Sequence, residues 1–140
     1  MVNEQKARGD AGEREVESIF RAAGFRRARR ALGAGRRDDV GDIDNVRELC
    51  VQVVRVAANG SLGSAILRKL PEVEVQRNNR RTRFGVVFAR QDKKPWIVVM
   101  TPFQFLRIYK YALIGIATSQ RRKAAKMSSR DNRGDTKAKA

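Results

Sequence analysis

The run Leu49 to Val56 limits the possible folds of this chain more than any other segment. It reads Leu-Cys-Val-Gln-Val-Val-Arg-Val, and its density of apolar and β-branched side chains is typical of a central strand buried on both faces. The preceding segment Gly41-Asp42-Ile43-Asp44 places a carboxylate at the end of a neighbouring strand. Together the two segments predict a strand pair whose buried member carries one uncharged polar side chain, Gln52.

Periodicity and turn residues predict the elements around this strand pair. Val16, Phe20 and Ala23 recur at helical spacing, and Gly24 follows them as a stop signal. Helices are predicted over 10–23, over 62–79 with a break near Pro71, and from Pro102 through Tyr109; strands are predicted over 25–32, 40–46, 49–56, 84–89 and 96–100, the last two as a buried hairpin. This order predicts an α/β or α+β sandwich around one sheet.

The composition changes near Thr118. From there to the last residue the chain is rich in Lys, Arg, Ala and Ser and has almost no large apolar side chains. Such a segment cannot bury enough apolar surface to order itself, so it is predicted to be a disordered basic arm. The predicted organisation is one small domain over 1–117 and a basic tail over 118–140.

Charge and missing residue types narrow the function. Lys and Arg number 31 against 15 Asp and Glu, a formal net charge of +16, which makes nucleic acid the leading partner. A ribosomal or chromatin-like packing protein, or a soluble surface with a basic tail, is the alternative explanation of the same charge. The chain has no histidine, which excludes Ser-His-Asp and Cys-His catalysis and His-based zinc sites.

The lone cysteine and the lack of long apolar segments predict a cytosolic protein with no membrane partner. Cys50 stands inside the apolar run and is expected in the core, which is compatible with a reducing compartment. The longest apolar stretches fall well short of the roughly 20 residues that a membrane span needs. The first residues lack the apolar core of a signal peptide.

Hydrolysis of a phosphodiester without histidine usually relies on a divalent metal held by oxygen ligands. Three side chains offer such oxygens: Glu13 near the start of the first helix, Asp42 at a strand end, and Gln52 on the buried strand. Mg²⁺ or Mn²⁺ is therefore the expected cofactor. Glu72, Glu74 and Gln76, on the second helix, could border the same cleft, but a solvated helix face is the expected position.

Several segments resemble one nuclease family. The opening 8–14, Arg-Gly-Asp-Ala-Gly-Glu-Arg, and the strand-end segment 39–43, Asp-Val-Gly-Asp-Ile, are similar to motifs of the PD-(D/E)XK nuclease superfamily, specifically its phage and archaeal Holliday junction resolvase-like members. Segment 51–54, Val-Gln-Val-Val, has the glutamine of the phage proteins but Val54 where they have lysine. The resemblance covers roughly residues 8–110 and implies a restriction-endonuclease-like mixed central sheet flanked by helices.

The resemblance also implies roles for individual residues. Glu13, Asp42 and Gln52 correspond to the active-site residues, and Asp42 to a metal ligand for which the neighbouring Asp39 or Asp44 could substitute. The family's lysine stabilises transition-state charge, which valine cannot do. Arg90 is the preferred candidate for a migrated cation, ahead of Arg55, although an arginine cannot serve as a general base.

The resulting expectation is a Mg²⁺-dependent, structure-selective endonuclease of phage type that acts on branched DNA as a homodimer. The alternatives are a catalytically degenerate DNA-binding protein of the same fold, or a basic RNA-binding protein. The residues expected to contact nucleic acid are Arg8, Arg29, Arg30, Arg36, Arg37, Arg55, Arg80 and Arg81.

Overall fold

The computed structural model describes residues 3–31 and 41–135. Within these residues the chain forms three helices and a mixed five-stranded sheet. The elements are α1 Glu4–Ala22, β1 Arg29–Arg30, β2 Ile43–Asp44, β3 Leu49–Val56, α2 Leu62–Arg80, β4 Phe84–Gln91, β5 Ile97–Val99 and α3 Pro102–Asp135. The chain divides after Thr101 into two compact units, so the sheet with α1 and α2 forms one unit and α3 belongs to the other.

The strands lie in the order β1-β2-β3-β4-β5. β3 and β4 run parallel and are connected through α2, whereas the other neighbouring strands are antiparallel. This arrangement confirms the prediction of a small α/β fold with a mixed sheet. The predicted strand over 49–56 coincides with β3, and the predicted second helix coincides with α2 within one residue. The predicted first helix ends one residue after α1 does, but α1 begins six residues before the predicted start.

Each face of β3 is covered by a different helix. Val51 and Val53 pack with Val16 and Phe20 of α1 in one buried cluster. On the other face, a second cluster unites Cys50, Val54, Val87 and Ala89 with Ala65 and Val73 of α2. Because successive side chains of a strand point to opposite faces, every residue of β3 is thereby assigned to the α1 side or the α2 side.

Two of the predicted strands are shorter than expected. Of the segment 25–32, only Arg29 and Arg30 are in a strand, because the amide of Ala28 donates a hydrogen bond to the carbonyl of Phe25 and closes a turn. Of the segment 40–46, only Ile43 and Asp44 are in a strand. Leu32 and Val40, at the outer limits of these two predictions, lie outside the described residues.

The predicted break at Pro71 and the predicted burial of the last strand were wrong. α2 continues through Pro71, because Ala65 before the proline and Val73 after it are both buried against the same face of the sheet. β5 pairs with β4 at the end of the sheet, and Ile97 and Val98 expose 43% and 54% of their surface. β5 is therefore an exposed edge strand.

The prediction of a short last helix followed by a disordered arm from residue 118 was also wrong. α3 runs from Pro102 to Asp135 and includes the basic residues up to Arg133. The end of the predicted arm, residues 136–140, lies outside the described residues. Its sequence from Ala117 to Arg133 contains no glycine or proline and is rich in Ala, Lys and Arg, which favour helix without needing burial. None of the helices in the described ranges has both the length and the apolar character of a membrane span.

Candidate functional site

Gln52 lies on the α2 side of the sheet and is buried. It alternates with Cys50 and Val54, and only 2% of its surface is exposed. Its amide nitrogen donates a hydrogen bond to the side-chain carbonyl of Gln76 on α2. Gln76 is itself 4% exposed, so the prediction of a solvated position for this residue was wrong. The two amides form a polar contact inside an otherwise apolar layer.

This amide pair is incompletely satisfied. Gln52 Oε1 is buried and has no hydrogen-bond partner among the described residues. A buried polar atom without a partner costs about 1–3 kcal/mol. Helical periodicity could have indicated Gln76, since it lies three residues after the buried Val73 and therefore on the same helix face.

We expect the two amides to be energetically coupled. Gln76→Leu alone should lower the free energy of unfolding by about 1–3 kcal/mol, because it leaves the amide of Gln52 without a protein partner. Adding Gln52→Leu should recover most of this loss, since an apolar pair of similar size removes both unsatisfied groups. Urea unfolding of the two single variants and the double variant measures the coupling; strictly additive losses would contradict it.

Glu13 lies on the opposite side of the sheet, because α1 covers the face that carries Val51 and Val53. Its carboxylate accepts hydrogen bonds from Nε and Nη2 of Arg30 at 2.9 and 2.8 Å. Asp10 accepts from the same guanidinium at 2.7 Å. Burial of Arg30 opposes its charge, but the two carboxylates outweigh that effect and raise its pKa. Glu13 is thus occupied in a structural ion pair between α1 and β1.

Asp42 forms hydrogen bonds with the backbone of β3. Its carboxylate accepts a hydrogen bond from the amide of Val53 at 2.7 Å, and its own amide donates to the carbonyl of Val51 at 2.8 Å. The side chain therefore replaces a carbonyl in the hydrogen bonding between β2 and β3. The neighbouring Asp44 accepts from Arg80 at 2.7 Å.

The described residues do not fit a common Mg²⁺ or Mn²⁺ site. Gln52 is held on the α2 side of the sheet, whereas Glu13 is held by Arg30 on the α1 side. Within 3–31 and 41–135, no group of three or more Asp, Glu, Cys or His side chains is placed to hold a metal ion. Asp39, a possible substitute ligand by its position, lies outside the described residues.

No protein-family model matches this chain, and no curated protein or solved structure matches it either. The family resemblance therefore stays a prediction, carried by the motifs alone.

Arg55 and Arg90 both lie on the α1 side, away from Gln52. They occupy paired positions on β3 and β4 and both donate to the carboxylate of Glu15. The indole nitrogen of Trp96 donates to the same carboxylate at 2.9 Å. Arg55 also donates to Asp92 at 2.7 Å. Neither arginine stands where the family lysine would act, on the face of Val54.

Asp92 completes this ionic network, and its titration can be measured. The hydrogen bond from Arg55 is the main cause that lowers the pKa of Asp92, and Arg8 contributes a second bond at 3.2 Å. Because the pKa of Asp92 is lowered in the folded state, its ionised carboxylate stabilises the folded protein fully at pH values above the pKa of the unfolded state, about 3.9. This stabilisation is lost as the pH falls below that value.

Asp92→Asn should therefore lower the thermal unfolding midpoint at pH 7, and the difference from the wild type should shrink only below about pH 4. Thermal scans of both proteins between pH 7 and pH 2.5 measure this difference. A difference that already disappeared between pH 7 and pH 5 would contradict the assignment.

The arginines expected to contact nucleic acid fall into three groups. Arg8, Arg30, Arg55 and Arg80 form ion pairs with carboxylates of the same unit. Arg36 and Arg37 lie outside the described residues. Arg29 and Arg81 are exposed, and Arg26 and Arg27 are exposed in the turn before β1. We call the three arginines Arg26, Arg27 and Arg29 the basic edge. None of them has a carboxylate partner in the described part of the chain.

Proposed function

We propose that this protein binds branched DNA through the basic edge and does not hydrolyse it. The main supporting observation is that some arginines form ion pairs within the protein while others are exposed. Arg30 is turned to Glu13 and Asp10 on α1, while its neighbour Arg29 and the preceding Arg26 and Arg27 are exposed. Because they follow one another along one turn and one edge strand, they present positive charge in a row, which suits contacts to successive phosphates.

The carboxylates of residues 3–31 and 41–101 do not neutralise this row. Those facing basic side chains are already in ion pairs, and they are Asp10, Glu13, Glu15, Glu17, Asp44, Glu48, Glu72, Glu74 and Asp92. Arg29 is paired in register with Asp44, but the carboxylate of Asp44 is bound by Arg80. The excess positive charge is therefore available to a polyanion.

The absence of hydrolysis follows, in this proposal, from the separation of Glu13 and Gln52 and from Val54. Val54 is 9% exposed and packs in the apolar cluster under α2. Metal-dependent endonuclease activity is the second candidate function. The observation in its favour is Gln52 Oε1, a buried oxygen without a protein partner among the described residues.

A homodimer is part of the proposal, since a four-way junction offers two symmetric binding sites. α3, described by itself, supports a second copy as the partner. Its residues Leu106, Tyr109, Leu113 and Ile116 recur at three- and four-residue spacing, and each exposes about half of its surface or more. Contiguous exposed apolar surface of this kind marks an association site.

The basic edge is tested by the salt dependence of DNA binding. We expect the Arg26→Gln, Arg27→Gln, Arg29→Gln triple variant to reduce the slope of log Kd against log salt by about 2–3, since each lost phosphate contact accounts for about 0.9. A matched control replaces the exposed Lys6, Arg14 and Lys94 by glutamine. Fluorescence anisotropy with a four-way junction and a linear duplex, in EDTA, measures both slopes.

The outcomes separate the parts of the proposal. A larger loss of slope in the basic-edge variant than in the control supports the basic edge as the DNA contact. Equal losses would contradict it, because binding would then depend on total charge and not on where the arginines lie. Tighter binding of the junction than of the duplex supports branched DNA as the ligand. Saturation at two copies per junction supports the dimer, and saturation at one copy contradicts it.

A further inference from the structure

A cleft with arginine on three sides opens where β3 ends and α2 begins. Its volume is about 600 Å³. Arg8 of α1, Arg55 of β3 and Arg68 of α2 line it, and no carboxylate does so among the described residues. Glu13, Asp42 and Gln52 are not part of its lining, and neither is the basic edge.

Carboxylates hold Arg8 and Arg55 at the cleft, and Arg8 and Arg68 keep donors that no described residue uses. Arg8 binds Asp92 through Nε, and its two terminal nitrogens have no acceptor among the described residues. Arg55 is held by Asp92 and Glu15. Arg68 is exposed and forms no ion pair within the described chain. The carboxylates of Asp92 and Glu15 are therefore shared among three arginines, Arg8, Arg55 and Arg90.

Side-chain hydrogen bonds hold the backbone around the cleft. The side-chain amide of Gln91, on β4, donates to the carbonyls of Ala58 and Gly60 at 2.7 and 3.2 Å and fastens the loop between β3 and α2. Ser61 caps α2 and accepts a hydrogen bond from the amide of Ser64 at 3.3 Å. Both serines line the cleft, so the positive end of the α2 dipole adds to the charge of the arginines.

Apolar side chains complete the cleft. Val54, Val56, Ala57 and Ala65 line it together with the charged groups. A cavity of this size lies within the range of about 300–1,000 Å³ that is usual for small-molecule sites, which combine apolar walls with a few placed polar groups. An inorganic ion alone would leave most of this volume and its apolar wall unused.

We propose that the cleft binds the phosphate monoester of a nucleotide. The phosphate lies against Arg68 and the unused nitrogens of Arg8, and the sugar and base lie against the half-buried Val56 and Ala57. The planar guanidinium of arginine suits this task, since it offers paired donors to phosphate oxygens. A free nucleotide and the 5′-phosphorylated end of a DNA strand carry the same group, and the experiment distinguishes them.

The test uses the full chain and isothermal titration calorimetry. The ligands are AMP, adenosine, and an eight-nucleotide DNA strand with either a 5′-phosphate or a 5′-hydroxyl. We expect a phosphate-bearing ligand to bind at least about tenfold more tightly than its hydroxyl counterpart, given the strength of charge-assisted hydrogen bonds. Arg68→Gln should remove this preference. Arg14 is an exposed helical arginine outside the cleft, so Arg14→Gln should keep the phosphate preference.

Each outcome decides the proposal. A phosphate preference for AMP assigns the cleft to free nucleotides, and a preference seen only with the strand assigns it to strand ends; both support it. Equal affinity with and without phosphate overturns it, and so does an equal loss in Arg68→Gln and Arg14→Gln. The AMP and adenosine pair contains no DNA strand, so its result is independent of the basic edge.

Discussion

Replacing Gly41 by alanine should lower the free energy of unfolding by about 2–6 kcal/mol, adding backbone strain to steric crowding. Gly41 has φ +89°, a conformation that side chains of L-residues rarely adopt. A Cβ at this position would lie 2.7 Å from the carbonyl oxygen of Val51 and 3.1 Å from Sγ of Cys50. The backbone of β3 cannot move away without disturbing the hydrogen bonds of Asp42 to the same strand.

Two other glycines separate the contributions to this loss. Gly24 has φ +99°, but the Cβ of an alanine there would have nothing within 4 Å, so Gly24→Ala should show the strain alone, about 1–3 kcal/mol. Gly63, in α2, has neither strain nor crowding. Gly63→Ala should stabilise the protein by up to about 1 kcal/mol through helix propensity. Urea unfolding of all three variants gives the comparison; equal effects at Gly41 and Gly63 would contradict the close approach of Gly41 to β3.

The second large effect is expected at Ile43. This side chain is fully buried and packs in the cluster formed by α1 and the sheet. Ile43→Ala should lower the free energy of unfolding by about 2–5 kcal/mol, because the lost methyl and methylene groups leave a cavity that close-packed neighbours fill only partly. Chemical denaturation with fluorescence of the single tryptophan measures the loss.

Ile97 provides a matched control with the same chemical change. It lies on the edge strand β5 and is 43% exposed. Ile97→Ala should cost clearly less than Ile43→Ala, since much of its surface already contacts water and no enclosed cavity forms. A loss at Ile97 as large as that at Ile43 would contradict both the exposed position of β5 and the assignment of the core.

The sequence predicts β3 and α2 well because their signals are local. The run from Leu49 to Val56 is apolar along nearly its whole length, and the segment 62–79 has helical composition. Propensity alone overestimates the break at Pro71, where packing on both sides of the proline keeps the helix continuous. In the basic part of α3 the reverse holds, because helix propensity orders a segment that has almost no large apolar side chains to bury.

The candidate site was harder to predict, because alternation along a strand does not say which helix covers which face. It places Gln52 with Val54 and Arg55 on the other side, and the structure has this arrangement. The sequence contains no comparable signal that α2 covers the face of Gln52 while α1, with Glu13, covers the opposite face. That separation depends on tertiary packing, as does the contact of Gln52 with Gln76.

The sequence also does not distinguish arginines that form internal ion pairs from arginines that are exposed. Neighbouring arginines look equivalent in sequence, yet Arg30 is bound by Asp10 and Glu13 while Arg29 is exposed. Their different roles follow from the alternation of β1 at the edge of the sheet, where one side chain faces α1 and the next does not. The predicted nucleic-acid contacts of Arg8, Arg30, Arg55 and Arg80 therefore compete with internal ion pairs.

The central claim is that the chain binds branched DNA without cutting it. The direct measurement incubates the full chain with a labelled four-way junction in Mg²⁺, in Mn²⁺ and in EDTA, and follows binding by anisotropy and cleavage on a denaturing gel. Asp42→Asn is the control, because asparagine keeps an oxygen that can accept from the amide of Val53. We predict junction binding in all three conditions and intact strands throughout. Strand cleavage that requires the metal and is lost in Asp42→Asn would contradict the claim.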